Sequence, residues 1–253
     1  MSPPVLWQFR ASHYNEKARW ALDWKGIPHV RRTLLPGWHM PRVAALTWQT
    51  QVPVLVLEGG EVVADSTRII ARLEALRPDP SLYPAGEAER RRALELEELF
   101  DEQLGPHIRR AFFFESLDHT DYMVSLFASG ESALTQSLYR AFFPVGRVLM
   151  RAAMGIDAPR AARSRQKMEE ALDRLEAEIG PAGYLVGDHF TVADLTAAAL
   201  VAPLLMPREF PYPFPKPPES VARLRAAYAS RPAFAWAAEM YRRHRGDSAA
   251  VEA

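Results

Sequence analysis

The fold is decided by one stretch of the chain, Gln51-Val52-Pro53-Val54-Leu55-Val56-Leu57-Glu58-Gly59-Gly60-Glu61-Val62-Val63-Ala64-Asp65-Ser66. Two short apolar runs on either side of a Gly-Gly turn predict a β-hairpin. Pro53 is expected at a strand start or edge, because proline cannot donate to a sheet ladder. If the Val52–Pro53 bond is cis, the polar backbone groups of Val52 turn outward and can pair with another backbone.

The residues that follow the hairpin, Asp65 and Ser66, add two polar groups at the start of a predicted helix. The Ser66 hydroxyl and the free N–H groups of a helix N-terminus suit a carboxylate. Asp65 can hold an ammonium group. Together they suit a small, peptide-like zwitterion. A plain hairpin followed by an ordinary helix cap explains the same residues, and the local sequence does not choose between the two.

The composition is that of an ordinary soluble globular protein. The 253 residues are 48% hydrophobic and 25% charged, enough for one large domain or two modest ones. Thirty-one basic residues balance 31 acidic ones without a like-charge block, so no nucleic-acid partner is expected. The sequence has no secretory signal and no apolar run of spanning length. A cytoplasmic protein with no membrane partner is therefore expected.

Cysteine is absent from the chain. That absence excludes disulfides, thiolate metal sites and any mechanism that uses a protein thiol. The 7 histidines show no metal-ligand spacing, so no metal is expected.

Residues 1–80 alternate strands and helices. The predicted strands are 5–9, 29–35, 51–57 and 61–64, and the predicted helices are 14–25, 41–46 and 67–76. A parallel βαβ start followed by a hairpin implies a small mixed sheet with helices on its faces. The proline-rich segment 77–84 marks a domain boundary.

Residues 85–245 form a predicted all-helical domain, and a disordered tail is expected over 246–253. The predicted helices are 87–115, 121–154, 161–179, 192–205 and two more after 218. Gly130, Pro144 and Gly146 are candidate breaks in the second of these. Thr191 and Asp194 form an N-capping box before an apolar helix, which indicates a structural role for both residues.

The turn between the first strand and the first helix carries Ser12, His13, Tyr14 and Asn15. Ser12 lies near the helix N-terminus, where the partial positive end favours an anion. Its hydroxyl can donate to a ligand thiolate and lower the thiol pKa. The Asn15 amide can do the same, and the Tyr14 phenol is a third candidate. A plain N-cap is the simpler role for Ser12, and the two roles are compatible.

Taken together, these motifs resemble the cytosolic glutathione S-transferase superfamily, in its bacterial, serine-type form. The resemblance covers about residues 4–80 and 160–240. The residues that carry it are Ser12 at the strand-to-helix position, Val52-Pro53 at the cis-proline, Asp65-Ser66 at the acid–serine pair, Tyr184 to Asp194 on the Y-L-x-G-(D)…[ST]-x-A-D signature, and Arg231-Pro232-Ala233-Phe234 near the end.

The resemblance implies an α/β thioredoxin-like N-terminal domain and an all-α C-terminal domain. It implies glutathione as co-substrate, with its thiolate stabilised by Ser12. The remaining contacts that it implies are the Val52 backbone for the cysteinyl part, Pro53 beside it, Asp65 and Ser66 for the γ-glutamyl end, and His39, Gln49 or Gln51 for the glycyl carboxylate.

The resemblance also implies a hydrophobic electrophile as second substrate, a homodimer and a role in detoxification. Phe112, Phe113, Phe114 and Trp236 are candidates for the electrophile pocket, although aromatics at helical spacing are more often core. Many bacterial relatives carry a cysteine in the first turn, where this chain has Ser12 and Asn15. Thiol exchange through a protein cysteine is therefore excluded. A scaffold without catalysis and a glutathione-dependent isomerase or peroxidase stay open as alternatives.

Overall fold

A computed structural model describes residues 2–252. The N-terminal part is one four-stranded sheet in the order β2-β1-β3-β4. β1 pairs parallel with β2 and antiparallel with β3, so that Leu6 faces Arg31 on one side and Leu55 on the other. The elements are β1 (Val5–Gln8), α1 (His13–Trp24), β2 (Val30–Thr33), α2 (Met40–Thr47), β3 (Val54–Val56), β4 (Val62–Ala64) and α3 (Ser66–Leu76). This order confirms the predicted thioredoxin-like domain.

The rest of the chain is helical. The helices are α4 (Glu87–Gln103), α5 (Gly105–Ser116), α6 (Thr120–Ala128), α7 (Ala133–Met154), α8 (Ala158–Glu178), α9 (Val192–Leu205), α10 (Glu219–Tyr228) and α11 (Pro232–His244). Among the described residues, no helix has the length and apolar character needed to cross a membrane.

Two of the predicted helices are each divided in the structure. The segment 87–115 separates at Leu104 into α4 and α5, because Pro106 has no N–H to continue the hydrogen-bond ladder. The segment 121–154 separates at residues 129–132, beside Gly130. Pro144 lies inside the continuous helix α7 and does not end it.

Helix α9 is the centre of the core and is buried on every side from Val192 to Leu204. It packs against α1, α4, α5 and α11, and so joins the two parts of the molecule. Its N-terminus has the predicted capping box. The backbone N–H groups of Leu185 and Thr191 each donate to the Asp194 carboxylate at 2.9 Å.

The C-terminal segment returns to the sheet domain. Nε of Arg245 lies 2.6 Å from Oε1 of Glu16, and its Nη1 lies 2.9 Å from Oδ2 of Asp23. Beyond it, the Val251 N–H donates to the carbonyl of His29 at 2.9 Å. The sequence predicts disorder over 246–253, whereas residues 248–251 make hydrogen bonds or bridge contacts with Asp23 or His29. Residue 253 lies outside the described residues.

Candidate functional site

Ser12 is the N-cap of α1 and connects the end of β1 to that helix. Its backbone is extended, and its side chain is half-buried. The Ser12 Oγ accepts two hydrogen bonds from Asn15, one from the backbone N at 3.3 Å and one from Nδ2 at 2.8 Å. With both acceptor positions of the oxygen used, the hydroxyl proton is available to a group outside the turn.

Asn15 is completely buried and is held inside the protein. Its Oδ1 accepts the Phe9 N–H at 2.8 Å, while its Nδ2 serves Ser12. The sequence suggests Asn15 as a direct thiolate donor. In the structure, the two ends of the Asn15 amide instead connect Phe9, just after β1, with the N-cap residue Ser12.

Tyr14 belongs to the border between the two domains. Its hydroxyl donates to the backbone carbonyl of Asp101 at 2.8 Å. A Cβ at Gly105 would lie 2.3 Å from that hydroxyl oxygen, so glycine makes the close approach possible. Burial raises the pKa of Tyr14. The Tyr14 hydroxyl therefore donates to the backbone of α4 and not to a ligand beside Ser12.

Arg19, which no sequence motif marks, supports the Ser12 turn. Its guanidinium donates to the carbonyls of Phe9 at 3.1 Å and Ser12 at 3.3 Å. Glu16 neutralises it at 2.7 Å. The three-residue spacing from Glu16 to Arg19 was the available signal, since it is the spacing of an intrahelical ion pair.

The hairpin brings Pro53 next to the acid–serine pair. The Val52–Pro53 peptide bond is cis, as the sequence analysis considers. Val54 pairs with Ala64 in the ladder, and the Asp65 N–H donates to the Pro53 carbonyl at 3.3 Å.

Asp65 is the N-cap of α3, because the helix predicted over 67–76 begins one residue earlier, at Ser66. The Asp65 carboxylate accepts the N–H groups of Thr67 at 3.0 Å and Arg68 at 3.2 Å. Its φ of 81° is unusual for a non-glycine residue and costs about 1–3 kcal/mol.

Ser66 is the first residue of α3 and is buried. Among residues 2–252, neither its N–H nor its hydroxyl makes a hydrogen bond. Both groups sit at the positive end of the helix, where an anion is stabilised.

His39 and Gln49, two candidates for the glycyl carboxylate, are already engaged. The His39 ring accepts the Gly37 N–H at 3.1 Å through Nδ1, and its Nε2 lies 2.9 Å from the Thr50 carbonyl. Burial lowers the pKa of His39. Gln49 bonds to the backbone of Gln51 through both ends of its amide. The exposed side chain of Gln51 is the candidate that stays available.

A buried ionic cluster lies behind α3 and includes Asp101, which the sequence analysis does not identify. Lys17 pairs with Glu97 at 3.2 Å and with Asp101, and the Thr67 hydroxyl lies 2.9 Å from each of the two carboxylates. Burial raises the pKa of Glu97. The cluster fixes the start of α3 against α4. Within residues 2–252, no three His, Asp or Glu side chains are grouped as metal ligands.

The aromatic candidates for the electrophile pocket divide into two groups. Phe112 and Trp236 are buried, and the Trp236 indole donates to the Gly183 carbonyl at 2.9 Å, which makes both residues part of the core. Phe113 and Phe114 are only partly buried on α5.

The fold and the site define a class of protein, a thioredoxin-like sheet domain joined to an all-α domain with a polar clamp near their border. Comparison with family models gives the same result. Residues 6–81 match the glutathione S-transferase N-terminal domain and residues 158–238 match the glutathione S-transferase C-terminal domain. The chain belongs to the glutathione S-transferase family.

Similar solved structures come from bacteria and a fungus. A glutathione S-transferase from Methylobacterium radiotolerans, in complex with glutathione sulfonate, is 26% identical over 92% of this chain and 93% of its own, with a TM-score of 0.55. The glutathione transferase GSTFuA3 of Phanerochaete chrysosporium is 18% identical over 100% of both chains, with a TM-score of 0.66. The β-etherase LigF of Sphingobium sp. is 19% identical over 94% and 99%, with a TM-score of 0.63. No curated protein matched the chain.

Proposed function

We propose that this protein is a glutathione transferase that stabilises the glutathione thiolate with the Ser12 hydroxyl and adds it to a hydrophobic electrophile. The observation that carries the proposal is the pair of hydrogen bonds from Asn15 to the Ser12 oxygen. They leave the Ser12 proton as a donor at the N-terminus of α1, where a developing anion is favoured.

The clamp would hold the two ends of glutathione. The unpaired N–H and hydroxyl of Ser66 suit the γ-glutamyl carboxylate, and the Asp65 carboxylate suits its ammonium group. The Val52 backbone would pair with the cysteinyl part beside Pro53, and Gln51 would meet the glycyl carboxylate.

The chemistry follows from thiol activation and proximity. A thiolate, and not a thiol, is the nucleophile, so any group that stabilises the anion raises its concentration at neutral pH. Holding it beside an apolar electrophile makes the attack effectively unimolecular. Because the chain has no cysteine, the reacting thiol has to come from the ligand.

The pH dependence of conjugation tests the role of Ser12. Ser12→Ala should raise the apparent pKa of the bound thiol by about one to two units, which corresponds to the loss of one hydrogen bond to a charged group. Ser12→Thr keeps the hydroxyl and serves as the matched control. An unchanged pH profile in both Ser12→Ala and Asn15→Ala would refute the assignment.

Calorimetric titration tests whether glutathione binds at all. A transferase should release or absorb heat and gain thermal stability at millimolar glutathione. No heat and no stabilisation would favour a scaffold that keeps the fold without the chemistry.

The family membership also supports a homodimer as the functional unit. Light scattering should give twice the monomer mass of 28.5 kDa. A monomer at all concentrations would contradict this part of the proposal.

A further inference from the structure

Arg109 lies on the side of α5 that faces the Ser12 turn. Gly105, Arg109 and Phe113 follow one another at four-residue intervals, which places them along one side of the helix. Gly105 abuts the Tyr14 hydroxyl, and the Arg109 guanidinium lies 5.8 Å from the centre of the Tyr14 ring. Since Tyr14 comes two residues after Ser12, Arg109 borders the first turn of α1.

This guanidinium carries a positive charge that no protein group neutralises. Among residues 2–252, Arg109 makes no hydrogen bond and no salt bridge, and no nearby carboxylate offsets its burial. Burial therefore lowers its pKa, but arginine stays protonated at any pH at which the protein is folded. The Arg109 side chain is half-buried, and a cation in such a position attracts an anion more strongly than one fully exposed to water.

Most of the neighbouring cations have polar partners. Arg10, two residues before Ser12, is the exception among the described residues: it makes no hydrogen bond or salt bridge, and its guanidinium lies 4.7 Å from the centre of the Tyr212 ring. Arg110, the next residue, donates to the Met154 carbonyl and the Ser164 hydroxyl. Lys17 and Arg19 each have a carboxylate.

The surroundings of Arg109 are neutral or apolar. His13 is buried, and burial followed by the charge of Arg109 lowers its pKa, so it stays neutral near pH 7. One turn further along α5, Phe113 is partly buried and its ring centre lies 6.3 Å from that of Phe127. The side of α5 that borders His13 and Tyr14 therefore carries a guanidinium without a carboxylate partner, with aromatic surface one turn further along the helix.

We propose that Arg109 binds an anionic group of the second substrate, so that the site selects aromatic or other apolar electrophiles that carry a carboxylate or a similar anion. This inference rests on the proposed function, because it names the class of electrophile that the same site accepts. A planar guanidinium forms paired hydrogen bonds with a carboxylate, which fixes the orientation of the electrophile as well as its charge.

Binding of an unreactive probe pair tests the inference without catalysis. The probes are 3-nitrobenzoate and 3-nitrobenzamide, which share an apolar ring and differ in charge, titrated into the full chain without glutathione. The wild type should prefer the carboxylate by about tenfold to a hundredfold. Arg109→Met should abolish the preference, and Arg109→Lys should keep part of it.

Arg163→Met is the matched control, since Arg163 is exposed on α8 and its loss changes the net charge equally. It should keep the full preference for the carboxylate. Equal binding of the two probes by the wild type, or a preference that survives Arg109→Met, would overturn the proposal.

A reactive pair extends the test to the transfer step. In 4-chloro-3-nitrobenzoate, the thiolate forms a C–S bond at the ring carbon that carries chlorine, the C–Cl bond breaks, and chloride leaves with the electron pair. In Arg109→Met, the ratio of catalysed to spontaneous rate should fall further for the benzoate than for 4-chloro-3-nitrobenzamide.

The affinity for glutathione and the pKa of its bound thiol, both measured in Arg109→Met, test whether Arg109 binds an anionic group of glutathione instead. Both the affinity for glutathione and the pKa of its bound thiol should match the wild type. A weaker affinity would assign Arg109 to a glutathione carboxylate, and a raised thiol pKa would assign it to the thiolate; either result overturns the proposal. A wild type that binds no glutathione but still prefers 3-nitrobenzoate would refute the proposed transferase and leave the anion site standing.

Discussion

The Asn15 side chain donates to the Ser12 hydroxyl oxygen across 2.8 Å while it accepts the Phe9 N–H across the same distance. One buried amide thus holds both the backbone just after β1 and the Ser12 oxygen, which leaves the Ser12 hydroxyl free to donate. Ser12 is the group that would touch the ligand, and Asn15 acts through it as a positioning residue.

The first prediction concerns the coupling between these two residues. Asn15→Ala frees the Ser12 oxygen and leaves the Phe9 N–H without its partner, so the thiol pKa should rise and stability should fall by about 1–3 kcal/mol. In a Ser12→Ala background, Asn15→Ala should cause no further rise in the thiol pKa. The pH profiles of the two single variants and the double variant measure this coupling. Additive rises would show that Asn15 acts on the thiolate without Ser12.

Asp65 gives the second prediction, because it combines a helix cap with a negative charge. Asp65→Asn keeps a side-chain oxygen for the Thr67 and Arg68 N–H groups and removes the charge, so it should fold with a stability within about 1 kcal/mol of the wild type. Its affinity for glutathione should fall by about tenfold or more, since a charged hydrogen bond to the ammonium group is lost.

Asp65→Ala is the comparison for that experiment, since it removes the charge and the cap together. It should lose a further 0.5–2 kcal/mol or so of stability. Calorimetry and denaturant unfolding measure the two effects separately. Undiminished glutathione binding by Asp65→Asn would restrict Asp65 to its structural role.

Asp194 gives the third prediction, on pH and stability. Burial raises the pKa of Asp194 from its ordinary value of 3.8 to about 6, against the opposing hydrogen bonds from Leu185 and Thr191. Below pH 6 the folded protein takes up this proton while the unfolded chain does not, until the pH approaches 3.8. The contribution of Asp194 is therefore fully present at low pH and is lost as the pH rises through 6.

The difference in unfolding free energy between the wild type and Asp194→Asn isolates this group from the other carboxylates. As the pH falls from 7.5 to 5, the wild type should gain about 1 kcal/mol of unfolding free energy relative to Asp194→Asn. A difference that stays constant or moves the other way would mean that the hydrogen bonds from Leu185 and Thr191, including that of the Thr191 hydroxyl, keep the carboxylate ionised.

The fourth prediction concerns Arg245, which neutralises Glu16 and Asp23. Arg245→Met should cost about 3–5 kcal/mol, because two buried carboxylates lose their shared cation. Arg242→Met removes an exposed arginine that pairs with Glu239 on the same helix, and it should cost less than about 1 kcal/mol. Denaturant unfolding at neutral pH compares the two variants. Similar small losses in both would show that water replaces Arg245 without penalty.

Features that depend on neighbouring residues were predictable from the sequence. The hairpin is specified by its own turn, where Gly59 and Gly60 both adopt a φ of 87° that other residues rarely reach. Helix α9 is predicted with its correct ends, because Thr191 and Asp194 cap it three residues apart. Ser12 also lies where its position after β1 predicts, at the N-cap of α1.

Features that depend on tertiary packing were not predictable in the same way. Asn15 has the chemistry of a ligand contact, and only its burial behind Ser12 shows that it serves the backbone. Asp65 is the cap because α3 begins at Ser66, one residue earlier than the predicted start at residue 67. Arg109 lies among several arginines in sequence, and only the three-dimensional contacts show that it borders Tyr14 without a carboxylate partner.

The contact of Arg245 with Glu16 and Asp23 also affects the order in which the fold can form during translation. Arg245 follows these residues by 229 and 222 positions, so the sheet domain leaves the ribosome long before Arg245 is made. N-terminal domains generally fold first as they emerge, and Glu16 and Asp23 can then pair with Arg19 and Arg31, but they gain their second cation only when the end of the chain arrives. The domain that is translated first is therefore completed last.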